Sequence, residues 1–423
     1  MRALGRGRRS AVAAALTLLL FALLLFAPGA ALAEDTGPIR LGLLMVKTGP
    51  LAAGGIQMEQ GLRVCLKERN SEMGGRKVEL MLGDTGGNPA GAKTKVQELV
   101  ERDKVDAILG PLAAFEAYAI NDYIRDAEIP WLPVAAAEDL TQRKANPWVL
   151  RVLGTSAQDS HAVADYAAKT LHYKRIVTIS EDFAYGHETI AGFQHVFEDE
   201  GGKIVKKLWP PLSTADYTPY LAQIAETKDV DAVYMGFAGS NPVRFIKQYA
   251  EFGLKQKVPL LGNGTAADAP ILRFMGEEAV GILAGNTYSS TYDSELNRRF
   301  IAGMQRDYQV DPGLYSLATY LGCQLLATAL EQTGGRTDKA LLMKTLRASS
   351  LADSPRGRIK FDDYGNAIGN SFIRRIDMKD GKLVDTIVET YPAVSQFWTH
   401  DPKWFLAQPV YSRDYPPAKN LEP

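Results

Sequence analysis

The 423 residues predict an α/β protein of two doubly wound parallel-sheet lobes with a ligand cleft between them. Three observations carry that reading. Short apolar runs alternate with helical patterns from Pro38 onward. The same rhythm restarts at Ile176. The chain is also long enough for two domains, and with 46% apolar residues it can fill two cores.

The first unit opens with Ile39–Met45, a short apolar run that reads as a buried strand. Met58, Leu62, Cys65 and Leu66 then recur at helical spacing. Val78–Leu82 reads as a second strand, and Pro89–Glu101 as a helix with proline in its first turn. Ala107–Leu109 is a third strand, Ala114–Asp126 a helix and Trp131–Val134 a fourth strand. This βαβαβ order predicts a parallel sheet covered on both faces. In the second unit, Ile176–Ile179, Ile204–Leu208, Ala232–Met235 and Pro259–Leu261 read as strands. Gly186–Glu200, Tyr217–Glu226 and Asn241–Phe252 read as the helices between them. Helices are expected at Glu295–Tyr308, Leu314–Glu331 and Lys339–Arg347. Arg358–Phe361, Phe372–Ile376 and Leu383–Val388 then read as strands separated by turns. The stretch 391–423, rich in Pro, Trp and Tyr, is expected to wrap the surface.

The first 33 residues differ in kind. Arg2, Arg6, Arg8 and Arg9 precede the apolar stretch Ala11–Phe26, and Ala31-Leu32-Ala33 fits a small-x-small cleavage pattern. Residues 1–33 therefore read as an export signal cut after Ala33, which places the mature chain in the periplasm. The apolar run is shorter than the roughly 20 residues a spanning helix needs. Without that segment the chain has 44 basic against 49 acidic residues, a net charge of −5. Mild acidity argues against nucleic acid as a partner, which would favour a clustered basic surface.

Cys65 and Cys323 are the two cysteines. An oxidising compartment permits a disulfide. Both fall in apolar helical patterns, however, where a free cysteine packs as a small core residue, and the reading favours two separate thiols. The five histidines are scattered, with no H-E-x-x-H pair and no Cys/His cluster of metal spacing. No metal and no cofactor is expected. The adjacent acids Glu138-Asp139 and Glu181-Asp182 read as solvated loop charge rather than a catalytic pair. With no P-loop either, an enzyme is not expected.

Ligands of doubly wound folds bind beyond the carboxyl ends of the strands, so two such lobes can share one cleft and close on it. At this point the chain resembles the type I periplasmic binding proteins. Within them it is similar to the branched-chain amino acid (leucine/isoleucine/valine) binding proteins. The resemblance rests on Ile39-Arg40-Leu41-Gly42 leading to Thr48-Gly49-Pro50, and on Asp84 before Asn88-Pro89-Ala90. Asp106-Ala107-Ile108-Leu109-Gly110-Pro111, Pro130 and Pro133 around a strand, Asp139-Leu140-Thr141 and Tyr185-Gly186 continue it. It spans about residues 38–390.

The resemblance implies three crossings between lobes, near Arg151–Gly154, Ala284–Thr287 and Arg356–Arg358, with Arg151, Ala284 and Arg356 as hinge residues. Lobe one is then 34–152 plus 286–356, lobe two 153–285 plus 357–390, and 391–423 an extension. It implies a substrate-binding component of an ABC importer, with a small-molecule ligand and membrane permease subunits as partners, acting as a monomer. A periplasmic sensor subunit would use the same fold.

In the amino-acid binders of that family a serine, a threonine, a first-loop tyrosine and an acid hold the zwitterion. Those positions fall here on Ala114, Ala136, Gly54 and Gly264. A buried zwitterion without polar partners is costly. The expected ligand is therefore an aromatic or other apolar carboxylate, with a branched-chain or other amino acid as the alternative. The expected pocket residues are Ala114, Phe115, Ala135, Ala136, Phe183, Tyr185, Phe237, Asn263 and Thr265. Lys47 offers a cation, though it reads more simply as a solvated loop residue. Trp398, Trp404 and Gln408-Pro409-Val410-Tyr411 also look like the tail of binders of lignin-derived aromatic acids.

Overall fold

Strand β1 (Ile39–Met45) is the centre of a five-stranded sheet ordered β2-β3-β1-β4-β5. The computed structural model describes residues 37–422; the segment read as an export signal, with its cut after Ala33, lies outside them. β1 pairs in parallel with β3 (Arg76–Asp84) and β4 (Ala107–Leu109), and β4 pairs with β5 (Trp131–Leu132). The two-residue β2 (Glu72–Met73) folds back antiparallel on β3. Alternation along β1 sends Leu41 and Leu43 to one apolar core and Leu44 to another. Helices α1 (Ala52–Glu68), α2 (Pro89–Gln97, followed by a π turn at Glu98–Arg102) and α3 (Ala114–Ala127) connect these strands. The side chain of Asn88 caps α2, accepting from the Gly91 N–H at 2.9 Å, with Pro89 in the first turn.

The second sheet is built on β6 (Arg175–Ser180), parallel to β7 (Lys203–Leu208) and β8 (Ala232–Gly236). Beyond β8 lie β9 (Leu260–Gly262) and β10 (Leu283–Asn286), then the antiparallel β12 (Ala367–Lys379) and β13 (Lys382–Val394), with β11 (Lys360–Phe361) at the edge. Its helices are α4 (Ser156–Lys169), α5 (Ala184–Asp199), α6 (Thr218–Glu226), α7 (Asn241–Glu251) and the short α8 (Ala269–Leu272). After β10 the chain returns to the first sheet as α9 (Glu295–Tyr308), α10 (Leu314–Gln332) and α11 (Lys339–Ala348), with α10 packed along α1. Among the described residues the chain thus passes between the two sheets three times.

Helix α4 and strand β10 are among the elements that escape the sequence reading. Helix α4 shows no stripe of large apolar residues; its buried face is Ala157, Val163, Ala164, Ala167 and Ala168. The available signal was its capping box: Thr155 accepts from the Gln158 N–H at 3.3 Å, and Gln158 accepts from the Thr155 N–H at 3.1 Å. Strand β10 is four residues long, two of them Ala and Gly, and forms because β9 and β12 flank it.

The cysteine reading is corrected. Cys65 on α1 and Cys323 on α10 are joined by a disulfide across 258 positions. Both are buried core residues, as their apolar surroundings predict, but the packing of α1 on α10 places them against each other. The acidic pairs are corrected too. Glu138, Asp139 and Glu181 are buried rather than solvated. Glu138 accepts from the Ala157 N–H at 2.7 Å, and Glu181 from the Ala238 N–H at 3.1 Å and Asn241 at 3.0 Å. These loops run inward, and their carboxyls terminate backbone donors that would otherwise be unpaired.

The C-terminal stretch packs on the second sheet's side. β13 runs on to Val394, and Phe397, Phe405 and Tyr411 then form a small cluster with Ala157 of α4 and Ala191 of α5. A last helix, α12 (Pro402–Ala407), sits in this segment. Arg143 fastens it by donating to the carbonyls of Phe405, Gln408 and Pro409 at 2.8–3.1 Å.

Candidate functional site

Between the two sheets lies a cavity of about 50 Å³, a few times the ~10–15 Å³ that one water requires. Its position follows from the winding. Parallel strands end, and the helices that follow them begin, at the same edge of each sheet. Four helices open on the cavity, α3 at Ala114, α4 at Ser156, α5 at Ala184 and α10 at Leu314, and residues of each first turn or cap line it. A helix N-terminus carries a partial positive charge, so the convergence of four favours an anion, although Glu138 and Asp268 already accept from the Ala157 and Leu314 N–H groups of α4 and α10.

Six of the nine residues expected at the pocket lie in its wall: Ala114, Ala136, Phe183, Tyr185, Asn263 and Thr265. Three do not. Val134 and Ala136 line the cavity, while Ala135 between them points into the core behind. Phe115 is one position beyond Ala114 on a helix and turns aside; its ring meets Phe183 edge-on at 5.6 Å. Phe237 is fully buried in the second sheet's core, 5.4 Å from Tyr217 and 4.8 Å from Phe245. Lys47 is exposed and is not in the wall. Trp398 stands against His161, and Trp404 is exposed in α12, so neither ring reaches the cavity.

The polar part of the wall is a directed chain. Asn263 donates to the Tyr185 hydroxyl, Tyr185 and Thr265 are 2.7 Å apart, and Thr265 donates to the Phe237 carbonyl at 2.6 Å. Because the single Thr265 proton goes to that carbonyl, Tyr185 is the donor to Thr265. Burial pushes the Tyr185 phenol above its ordinary value, so it stays neutral. Tyr185 stacks on Phe183 at 5.9 Å, with 29° between the rings. The two rings supply aromatic apolar surface to a wall that also holds the small Ala114 and Ala136.

The sequence reading missed Asp159, because it missed α4. Asp159 lines the cavity and is half-buried, with its Oδ1 shielded from solvent and without a hydrogen-bond partner. Burial pushes its carboxyl up to about 7, opposed by the nearby guanidinium groups of Arg356 and Arg374. Arg374 forms a buried ion pair with Asp385 at 2.8 Å and donates to the Gly264 carbonyl at 3.1 Å.

The glycines read as lost anchors take on another meaning. A Cβ on Gly54 would lie 2.5 Å from Leu112 and 3.0 Å from Tyr315, so the room is already taken by two wall residues. A Cβ on Gly264 would lie 3.2 Å from Asp159 Oδ2 and 3.1 Å from Asn286. A tyrosine and an acid, Tyr315 and Asp159, do line the cavity. They come from α10 and α4 instead of from Gly54 and Gly264.

The hinge candidates fare unequally. Arg151 lies on the first passage: its N–H donates to the Gly365 carbonyl at 2.8 Å and its guanidinium to Ala137 and Asn366. Arg356 is buried near the third passage, with burial pushing its guanidinium down to about 10 against the pull of Asp159. Ala284 is corrected. It sits inside β10, opposite Gly262 and Arg374, where ladder bonds fix φ and ψ; the passage begins after Asn286.

Residues 38–382 match the model of a family described as periplasmic binding protein. The chain belongs to the periplasmic binding protein family. A solved ABC transporter substrate-binding protein from Sphaerobacter thermophilus is 33% identical to this periplasmic binding protein, with a TM-score of 0.80, covering 85% of this chain and 99% of that one. A second solute-binding protein of an ABC transporter, from Rhodopseudomonas palustris BisB5 in complex with 3,4-dihydroxybenzoic acid, is 30% identical with a TM-score of 0.81, covering 85% and 98%. A Leu/Ile/Val-binding protein homolog from Brucella melitensis is 25% identical over 86% of this chain and 94% of its own length. The protein is accordingly a substrate-binding protein of the ABC-transporter type, and its fold is the two-lobed α/β architecture of that group.

Proposed function

We propose that this periplasmic binding protein captures a small aromatic carboxylate, preferably one with a ring hydroxyl, and delivers it to the permease of an ABC importer. The observation that carries the reading is the composition of the cavity: flat apolar walls, four helix N-termini and one unpartnered carboxyl group, that of Asp159. The ligand carboxylate is received by backbone N–H groups at the start of α3, where Ala114 leaves room. Its ring lies against Tyr185 and Phe183. A hydroxyl at the far end donates to Asp159 Oδ1, which satisfies one of two buried acceptors left unpaired in the wall, the other being Asn263 Oδ1. The Rhodopseudomonas relative, solved with a dihydroxybenzoic acid, supports the class.

Asp159 also favours a second reading, a branched-chain amino acid, because a carboxylate beside Gly264 can receive an ammonium group. The Brucella relative's name agrees with it. Calorimetry of the mature protein with benzoate, 4-hydroxybenzoate, 4-hydroxycinnamate, leucine and phenylalanine separates the two. The aromatic reading expects 4-hydroxybenzoate to bind more tightly than leucine by tenfold or more. Tight leucine binding with no heat from the aromatic acids would replace it by the amino-acid reading.

A further inference from the structure

The five histidines show no metal spacing in the sequence, yet folding brings two of them to one carboxylate. His195 and Asp199 lie four positions apart near the end of α5, on one face of the helix. His400 reaches them from the C-terminal segment, 205 positions on from His195. The Nε2 atoms of both imidazoles are 3.8 Å from Asp199 Oδ2, and one ligand atom from each of the three residues falls within 4.8 Å of the others. The rings stack at 4.6 Å with 18° between their planes.

These distances are too long for hydrogen bonds, and His400 Nε2 is buried with no partner. Two half-buried imidazoles, stacked and facing one carboxylate without bonding it, are poorly accounted for by packing alone. We propose that His195, Asp199 and His400 form a binding site for a divalent transition metal ion, zinc being the best match. Two imidazoles and one carboxylate suit zinc, whereas calcium and magnesium prefer oxygen ligands alone. Bonds of 2.0–2.2 Å to a tetrahedral zinc put ligand atoms about 3.3 Å apart. Side-chain rotations would close the ligand atoms to that spacing from 3.8 Å for each imidazole–carboxylate pair and from within 4.8 Å for the set, and the exposed side of Asp199 leaves the fourth position to water.

The surroundings are arranged for it. His195 Nδ1 is 2.7 Å from the Tyr411 hydroxyl. As the donor in that bond, Nδ1 carries the proton and leaves the Nε2 lone pair facing Asp199, the outer contact that orients a metal-binding imidazole. Lys419 is a cation that also faces His195, and Asp199 offsets it. The site would join α5 to the C-terminal segment, adding to Arg143, a small aromatic cluster and the bond from Gln194 of α5 to the Pro417 carbonyl at 3.3 Å.

Zinc titration by calorimetry of the full mature protein tests this, with Asp199→Asn and His400→Ala beside the wild type. Asp199 is half exposed, so its replacement leaves folding intact. The expected result is one zinc ion per chain, binding at least tenfold weaker in each variant, and a rise in Tm with zinc that only the wild type shows. Trp404 lies 5.0 Å from the His400 ring and 5.8 Å from His195, so copper(II) should quench part of the tryptophan emission in the wild type and not in His400→Ala. No zinc binding by the wild type, or equal binding by wild type and both variants, would overturn the site.

Discussion

The phenol of Tyr118 on α3 donates a 2.6 Å hydrogen bond to Oε1 of Glu188 on α5, joining a helix of the first sheet to a helix of the second. The other carboxyl oxygen of Glu188 is 2.8 Å from Ser156 Oγ, which also lies 3.1 Å from the Ala136 carbonyl. Burial pushes Glu188 up to about 8, with the nearby Glu138 charge adding to it. A protonated Glu188 satisfies every group: it donates to Ser156, Ser156 donates to Ala136, and Tyr118 donates to the remaining oxygen. On the other side of the cavity Asp268 accepts from the Leu314 N–H at 2.9 Å and from Gln57 at 3.2 Å. The cavity is thus held shut by two buried polar clasps.

Removing the first clasp should favour an open form. Tyr118→Phe is expected to weaken ligand binding by about 1–1.5 kcal/mol, close to tenfold, the worth of one such bond. Small-angle scattering should show a larger radius for the variant without ligand. Unchanged affinity and scattering would mean that the bond does not report on closure.

Stability should fall as the solution turns alkaline. Burial raises Glu181 to about 8 and Asp159 to about 7, both well above their ordinary values. Between the ordinary and raised values the folded chain binds more protons than the unfolded one, so stability declines as pH rises through that window. The Tm of ligand-free protein should drop by several degrees between about pH 5.5 and pH 8.5. Glu181→Gln should flatten the decline, and a Tm that climbs over the same range contradicts the assignment.

Breaking the link between Cys65 and Cys323 should cost about 2–4 kcal/mol, since it closes a very long loop in the unfolded chain. Thermal unfolding with and without a reductant measures this, as does the double variant Cys65→Ala/Cys323→Ala. Identical curves would show that the packing of α1 on α10 suffices without the bond.

Asp159→Ala should separate two ligands that differ by a hydroxyl. Binding of 4-hydroxybenzoate should weaken by about 1–3 kcal/mol, while benzoate changes little or gains. Equal losses for both would place the hydroxyl elsewhere.

Tyr185 combines a wall and a hydrogen-bond chain, and two variants divide these parts. Tyr185→Ala should lose about 1–3 kcal/mol of binding, as a buried aromatic anchor does. Tyr185→Phe keeps the ring and removes only the hydroxyl between Asn263 and Thr265, which stay joined by a direct 3.1 Å bond, and should lose less. The reverse order in calorimetry would mean that the hydroxyl, not the ring, contacts the ligand.

Much of this protein was determined by its sequence alone. The strands Ile39–Met45 and Ala107–Leu109 and the helix Glu295–Tyr308 have the bounds that periodicity gave them, because each buries a continuous apolar run or stripe. Ala114, Ala136 and Tyr185 could be placed at the cavity because the family resemblance implies ligand contacts at those positions, at the edge where a doubly wound fold puts the residues after its strands. Only the tertiary structure decided which acid and which tyrosine face that cavity. Asp159 sits on a helix packed by alanines, and Tyr315 on a helix that returns from the far end of the chain, so no local pattern ties either to Gly264 or Gly54. The Cys65–Cys323 bond and the meeting of His195 with His400 have the same cause. Periodicity records which face of an element is buried, whereas contacts across 200 or more positions depend on how whole elements dock.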